Sequence, residues 1–161
     1  MLMRHRRLPR LDVPGHTYAL TCCAHDRQRI LSIPSLAERL IGLYVEARDR
    51  GDILLHGYVV MPDHYHVVLT LAEGLSLSDL IRRIHSAFAR TAKRALGTTE
   101  GIWQERFYDH VVRGHEDRMA QVDYLHGNPV RAGLVEEPLT YPWSSCRFWE
   151  AGDGPVRCDA P

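Results

Sequence analysis

The segment His16–Ala24 is β-prone, follows the turn pair Pro14–Gly15, and predicts a first strand. The period then lengthens. Leu36, Leu40, Ile41, Tyr44 and Val45 recur near i, i+4 spacing behind Pro34–Ser35, which predicts an amphipathic helix that ends at about Arg50, before Gly51–Asp52. Two apolar, β-branched runs, Ile53–Met61 and His64–Leu71, are separated only by Pro62–Asp63 and predict a β-hairpin. A second, longer helix runs from a cap at Ser76 or Ser78 to about Leu96, with Leu80, Ile84, Ala87, Phe88 and Thr91 as its inner stripe and its arginines largely on the other side. Trp103–Arg113 alternates loosely and predicts a fourth strand. A helix over about Glu116–Gly127 follows, stopping before Pro129. The order β-α-β-β-α-β-α predicts an α+β fold in which helices cover mainly one face of an antiparallel sheet. Residues 1–150 would form the single domain, and residues 151–161 a frayed tail.

Composition adds a limit on size and an asymmetry of charge. The 161 residues are 45% hydrophobic and 25% charged, enough for one core and too few for a second full domain. Twenty basic and twenty acidic residues cancel, so whole-chain charge argues for no partner. Their distribution does. Arg4, Arg6, Arg7 and Arg10 face only Asp12 in a basic N-terminal arm, and Arg82, Arg83, Arg90, Lys93 and Arg94 face only Asp79 on the long helix. Both are candidate phosphate-binding surfaces, with a solvated helix face as the plain alternative for the second. Lys93 is the only lysine, and a GC-rich genome would produce the same preference for arginine as selection for bidentate phosphate contacts. No apolar segment follows the N-terminal charges, and none approaches the roughly 18 residues of a membrane span, so a cytoplasmic protein without membrane contact is expected. Cys22, Cys23, Cys146 and Cys158 match no zinc or disulfide framework and read as reduced structural thiols.

Two clusters carry chemistry. In Met61-Pro62-Asp63-His64-Tyr65-His66, the histidines stand two apart on a strand, so both imidazoles leave the same face, as a bidentate metal pair would. In Tyr124-Leu-His-Gly-Asn128-Pro129-Val-Arg131, Tyr124 and Asn128 are four apart at a helix end, which can present a phenol beside an ion that takes the Asn128 amide. Two imidazoles, an amide oxygen and open positions suit magnesium or manganese better than a closed zinc site. Pro129 biases Asn128 away from helical dihedrals, which pulls against that geometry. Tyr108 lies among aromatics and reads as a core or base-stacking residue, and Trp143 and Trp149 as part of the core.

These motifs, together with Ile102-Trp103-Gln104-Glu105-Arg106-Phe107-Tyr108-Asp109-His110, resemble the small single-tyrosine HUH transposases, most closely the REP-associated tyrosine transposases, over about residues 4–149. The resemblance implies a ferredoxin-like or RRM-like sheet and a divalent metal at His64 and His66. It further implies Asn128 as a polar third ligand, and Tyr124 as a nucleophile that cuts single-stranded DNA near hairpins and becomes joined to the 5′ phosphate. A monomer is the implied state, with a dimer left open. Tyr65 stands where the family usually has a smaller hydrophobic residue, and should point away from the metal. Cys22–Cys23 replace expected polar residues. Two other readings stay open: a DNA-hairpin binding module that no longer cuts, and a small zinc hydrolase at His64 and His66, for which Asp63 is the one adjacent carboxylate.

Overall fold

Four strands, β1 (Thr17–Cys23), β2 (Ile53–Met61), β3 (His64–Leu71) and β4 (Tyr108–Val112), form an antiparallel sheet in the order β2-β3-β1-β4 in a computed structural model that describes residues 15–160. The four arginines of the basic arm lie outside the described residues. With α1 (Pro34–Asp49) between β1 and β2, and α2 (Leu77–Leu96) between β3 and β4, this is the ferredoxin-like arrangement. The hairpin bounds are those the apolar runs predict, because the intervening Pro62–Asp63 can only turn.

Pairing fixes what shares a face. Thr21 stands between His66 and Tyr108, Ala19 between Val68 and His110, and Cys23 beside His64. The alternate positions Tyr65, Val67, Leu69 and Leu71 point the other way, into the main core with Leu36, Leu40 and Tyr44 of α1 and Leu80, Ile84 and Phe88 of α2. Pro34 opens α1 at its first turn. The Ser76 hydroxyl caps α2 by accepting from the Asp79 N–H at 3.3 Å, and Gly97, at φ 63°, ends it.

The sheet is covered on both faces. The two long helices take one face, as predicted, and α3 (Gly114–His126) crosses the other, burying Val122 and Leu125 against Val59, Met61 and Val68. Gly57, at a β-bulge, permits this approach: a Cβ there would lie 3.2 Å from the Val122 methyl.

Two expectations change. The fourth strand begins only at Tyr108; Trp103 makes a lone bridge to Ala24, and its indole lies against the helices, stacked 4.3 Å from His85. The tail is docked rather than frayed up to the last described residues. Tyr58 and Val60 of β2 exchange backbone hydrogen bonds with Ser145 and Trp143, and the Asp159 N–H donates to Leu55 O at 2.7 Å. The Asp159 carboxylate accepts both arms of the Arg48 guanidinium, at 2.8 and 3.0 Å, and the Leu55 N–H at 2.9 Å. The free edge of β2 thus gains hydrogen-bond partners that an uncovered edge would lack. Between these contacts, α5 (Cys146–Ala151) follows the short α4 (Asn128–Arg131) and seats Trp149, whose indole N–H donates to His56 O at 2.8 Å.

Candidate active site

His64 and His66 leave the sheet on the α3 side, with ring centroids 5.0 Å apart and planes at 89°. Each Nδ1 has a neighbour, Asp63 Oδ1 at 2.6 Å for His64 and Thr21 Oγ1 at 2.8 Å for His66. With Nδ1–H donated to these oxygens, the lone pair of each ring sits on Nε2, the arrangement found behind metal-ligating imidazoles. Burial first, then the charges of His64, Arg131 and Arg27, push His66 down to about 4, so that ring is neutral at pH 7. Asp63 is held below the ordinary carboxylate value: burial alone would raise it, but the His64 hydrogen bond and the Arg27 charge outweigh that.

Tyr124 is 59% exposed on α3. It lines a cleft of about 250 Å³ together with His66, Thr21, Tyr108, His110 and Gln121. An adjoining hollow shares Thr21, His66 and Tyr108 and adds His64, Arg27 and Gln104. The fold therefore brings the predicted phenol and both imidazoles to one continuous groove. A larger hollow, about 520 Å³, lies at the far end of the sheet beside Arg48, Thr70 and Asp159 and contains none of these residues.

Pro129 disturbs the helix less than its bias suggests. Gly127 and Arg131 both make i→i−4 backbone bonds, to Asp123 O at 3.2 Å and Gly127 O at 3.0 Å, so α3 passes into α4 almost without a break. Tyr124 and Asn128 stay one turn apart. Arg131 joins them, a role the sequence reading missed. Its guanidinium lies 4.2 Å from the Tyr124 ring centroid, donates to Tyr124 O, and donates to Asn128 Oδ1 at 2.9 Å. The spacing 124, 128, 131 was the available signal, since i, i+4 and i+7 share a helix face. Asn128 Oδ1 is thus turned to Arg131 rather than to the imidazoles, and its Nδ2 is buried with no hydrogen-bond partner.

Arg27 is the second functional candidate missed. It reaches the groove from a turn in which Asp26 and Arg27 both have positive φ, 49° and 55°, a strained conformation for side-chain-bearing residues. Its guanidinium contacts Cys23 Sγ at 2.9 Å and Asp63 at 3.5 Å.

Other expectations sort by face. Tyr65 points away from the groove, as predicted, with its hydroxyl 2.8 Å from that of Tyr44 and 2.9 Å from His85 Nε2. Trp143 and Trp149 are partly buried against the core. Tyr108 is 73% exposed and is not a core residue. The α2 cations do not flank the groove, because α2 packs on the Tyr65 side of the sheet. There Arg82 pairs with Asp79 at 2.7 Å, Arg83 with Asp52 at 3.3 Å, and Lys93 donates to Thr99 O, while Arg90 and Arg94 lie along the same helix. His126 is buried against Ser145 Oγ at 2.8 Å, away from the phenol.

The family described as "Transposase IS200 like" matches residues 12–128, a span that holds His64, His66, Tyr124 and Asn128. The chain belongs to this family. Within it, the REP-associated tyrosine transposase of Escherichia coli (strain K12) is 36% identical over 137 residues, which are 84% of this chain and 79% of that relative. A solved structure of a REP-associated tyrosine transposase bound to a REP hairpin superposes with a TM-score of 0.72 at 29% identity, covering 97% of this chain and 93% of that one. The chain shares the fold of that REP-associated tyrosine transposase over nearly its full length. Among its described residues, no helix is long and apolar enough to cross a membrane.

Proposed function

We propose that this transposase cuts and rejoins single-stranded DNA beside a hairpin, with Tyr124 as nucleophile. The phenol oxygen attacks a backbone phosphorus and gives up its proton, the P–O3′ bond breaks, the 5′ phosphate remains on Tyr124, and the freed 3′ oxygen takes up a proton, so the step releases none overall. Reversal by a 3′ hydroxyl joins strands without a high-energy cofactor, because the phosphotyrosine ester keeps the energy of the broken bond. The observation that carries this reading is the groove shared by Tyr124 and His66, continuous with His64. The hairpin bound by the structural relative supports hairpin DNA as the partner.

The donor set fits a magnesium or manganese ion: two Nε2 lone pairs held by Asp63 and Thr21, with Asn128 Oδ1 able to join once it leaves Arg131. Such an ion, when bound, polarises and orients the scissile phosphate. Arg27 and Arg131, whose charges both reach His66, attract that phosphate, and Arg131 holds the Tyr124 ring in place. A zinc hydrolase is poorly served. Among the described residues no group of three or more His, Cys, Asp or Glu is placed to hold a metal, and Asp63 is already engaged by His64 and Arg27.

The test is a covalent adduct on denaturing gels after incubation with single-stranded oligonucleotides bearing a hairpin and magnesium. Tyr124→Phe keeps the ring, so its stability should stay within about 0.5 kcal/mol of wild type, as for most surface changes. The adduct and nicking should both vanish while DNA binding persists. His64→Ala, His66→Ala or excess chelator should also abolish nicking. Adduct formation by Tyr124→Phe would remove the proposed nucleophile, and full activity in chelator would remove the ion. Binding without any adduct in wild type would favour the non-cutting hairpin module.

A further inference from the structure

Tyr108 and Tyr124 are the two aromatic residues among the large exposed hydrophobics of the described chain, at 73% and 59%, and both line the same cleft. An exposed ring on a strand gains nothing from folding, and two at one site mark a surface made for a flat partner. The cleft has an apolar floor of Ala19, Val68 and Leu125 and a polar rim of Gln121 and His110. Its volume, about 250 Å³, is sufficient for one heterocyclic base. The sheet itself places Tyr108 at the wall of the cleft, since Thr21 pairs with His66 on one side and with Tyr108 on the other.

We infer that this cleft is a nucleobase pocket: the base next to the phosphate attacked by Tyr124 leaves the strand's own stack, lies on the Tyr108 ring, and presents its edge to Gln121 and His110. The inference rests on the function proposed above and adds to it a site for the base. Stacking on the phenol face holds the nucleotide while the phosphate sits between Tyr124 and the imidazoles. It also requires an unpaired base, which gives the protein a reason to act on single strands. Gln121 can both donate and accept, so the rim can discriminate among bases.

The experiment measures equilibrium binding and adduct formation on a REP hairpin with single-stranded flanks, in which each flanking nucleotide in turn is made abasic. Wild type, Tyr108→Ala and Tyr108→Phe are compared. Tyr108 is exposed, so neither variant should disturb the fold, which thermal unfolding checks. Tyr108→Ala should weaken binding of the intact strand roughly 5- to 150-fold, the range for loss of one base–aromatic stack, while Tyr108→Phe stays near wild type. One abasic position should produce the same loss in wild type and no further loss in Tyr108→Ala. If every abasic position and Tyr108→Ala act independently, or Tyr108→Ala binds like wild type, the pocket is wrong, even with the adduct intact. Coupling in binding without any adduct would keep the pocket and reject the nucleophile, and no binding by wild type to any strand would reject both.

Discussion

Arg131 ties the proposed nucleophile, Tyr124, to the proposed third ligand, Asn128, and Gly127 makes room for it. A Cβ at Gly127 would lie 2.5 Å from Arg131 Nη1, and since φ there is −76°, alanine brings no backbone strain. The flexible guanidinium would have to move, giving up the Tyr124 face and Asn128. Gly127→Ala should therefore leave stability unchanged or raise it by up to about 1 kcal/mol, through helix propensity, while slowing nicking as much as Arg131→Ala does. Single-turnover cleavage beside thermal unfolding checks this, and equal loss of rate and stability would show a packing defect instead. Asn128→Ala should be milder, and partly rescued by more magnesium or manganese, because water can take a vacated ligand position.

The tail and α2 show how whole segments are assigned their roles. Asp159 anchors the tail by hydrogen bonds to Arg48 and Leu55 N, and these hold its carboxyl below the ordinary value although burial alone would raise it. A depressed folded value stabilises the fold above the unfolded value, near 4, and that contribution is lost as pH falls through the folded one. Asp159→Asn should cost about 1–2 kcal/mol at pH 7, the range for charge-assisted hydrogen bonds discounted for partial exposure, and little near pH 2. Denaturant titrations at both pH values decide it. On α2, the distance from the groove and the pairing with Asp79 and Asp52 predict a weak part in short-strand binding. Arg82→Ala with Arg83→Ala should change the log–log salt slope by less than the roughly 0.7 lost with one single-strand phosphate contact. A larger change would put α2 on the DNA.

Across the molecule, buried histidines link folding to acid. His126, packed against Ser145, is pushed down to about 4 by burial, and burial also lowers His56 despite its hydrogen bond to Asp159 O at 3.1 Å. An unfolded histidine titrates near 6.5. Between that value and the folded ones, the unfolded chain binds protons that the folded chain refuses, so stability falls as pH drops below about 6.5. Melting temperature should decline steadily from pH 7 to pH 5, before the carboxylates titrate, and His126→Gln should flatten the decline. A constant melting temperature over that span would mean these rings charge without cost.

What the chain carries locally was legible in its order of residues. Strand alternation aims His64 and His66 to one face and Tyr65 to the other, and helical spacing places Tyr124, Asn128 and Arg131 in a row, because both periods come from backbone geometry alone. The hairpin bounds and the opening of α1 follow from Pro62–Asp63 and Pro34 in the same way. Long-range packing settled the rest. Nothing in the segment 116–127 says that α3 lies on the histidine face; Val122 and Leu125 must find Val59, Met61 and Val68 across the bulge at Gly57. The loose alternation of 103–113 cannot tell Trp103, which turns under α2, from Tyr108, which stands open beside His66. The polar tail looked free because its partners, Arg48 and Leu55, are more than 100 residues away in the chain. Spacing fixes which side chains share a face, but only the packing of distant segments decides what each face meets.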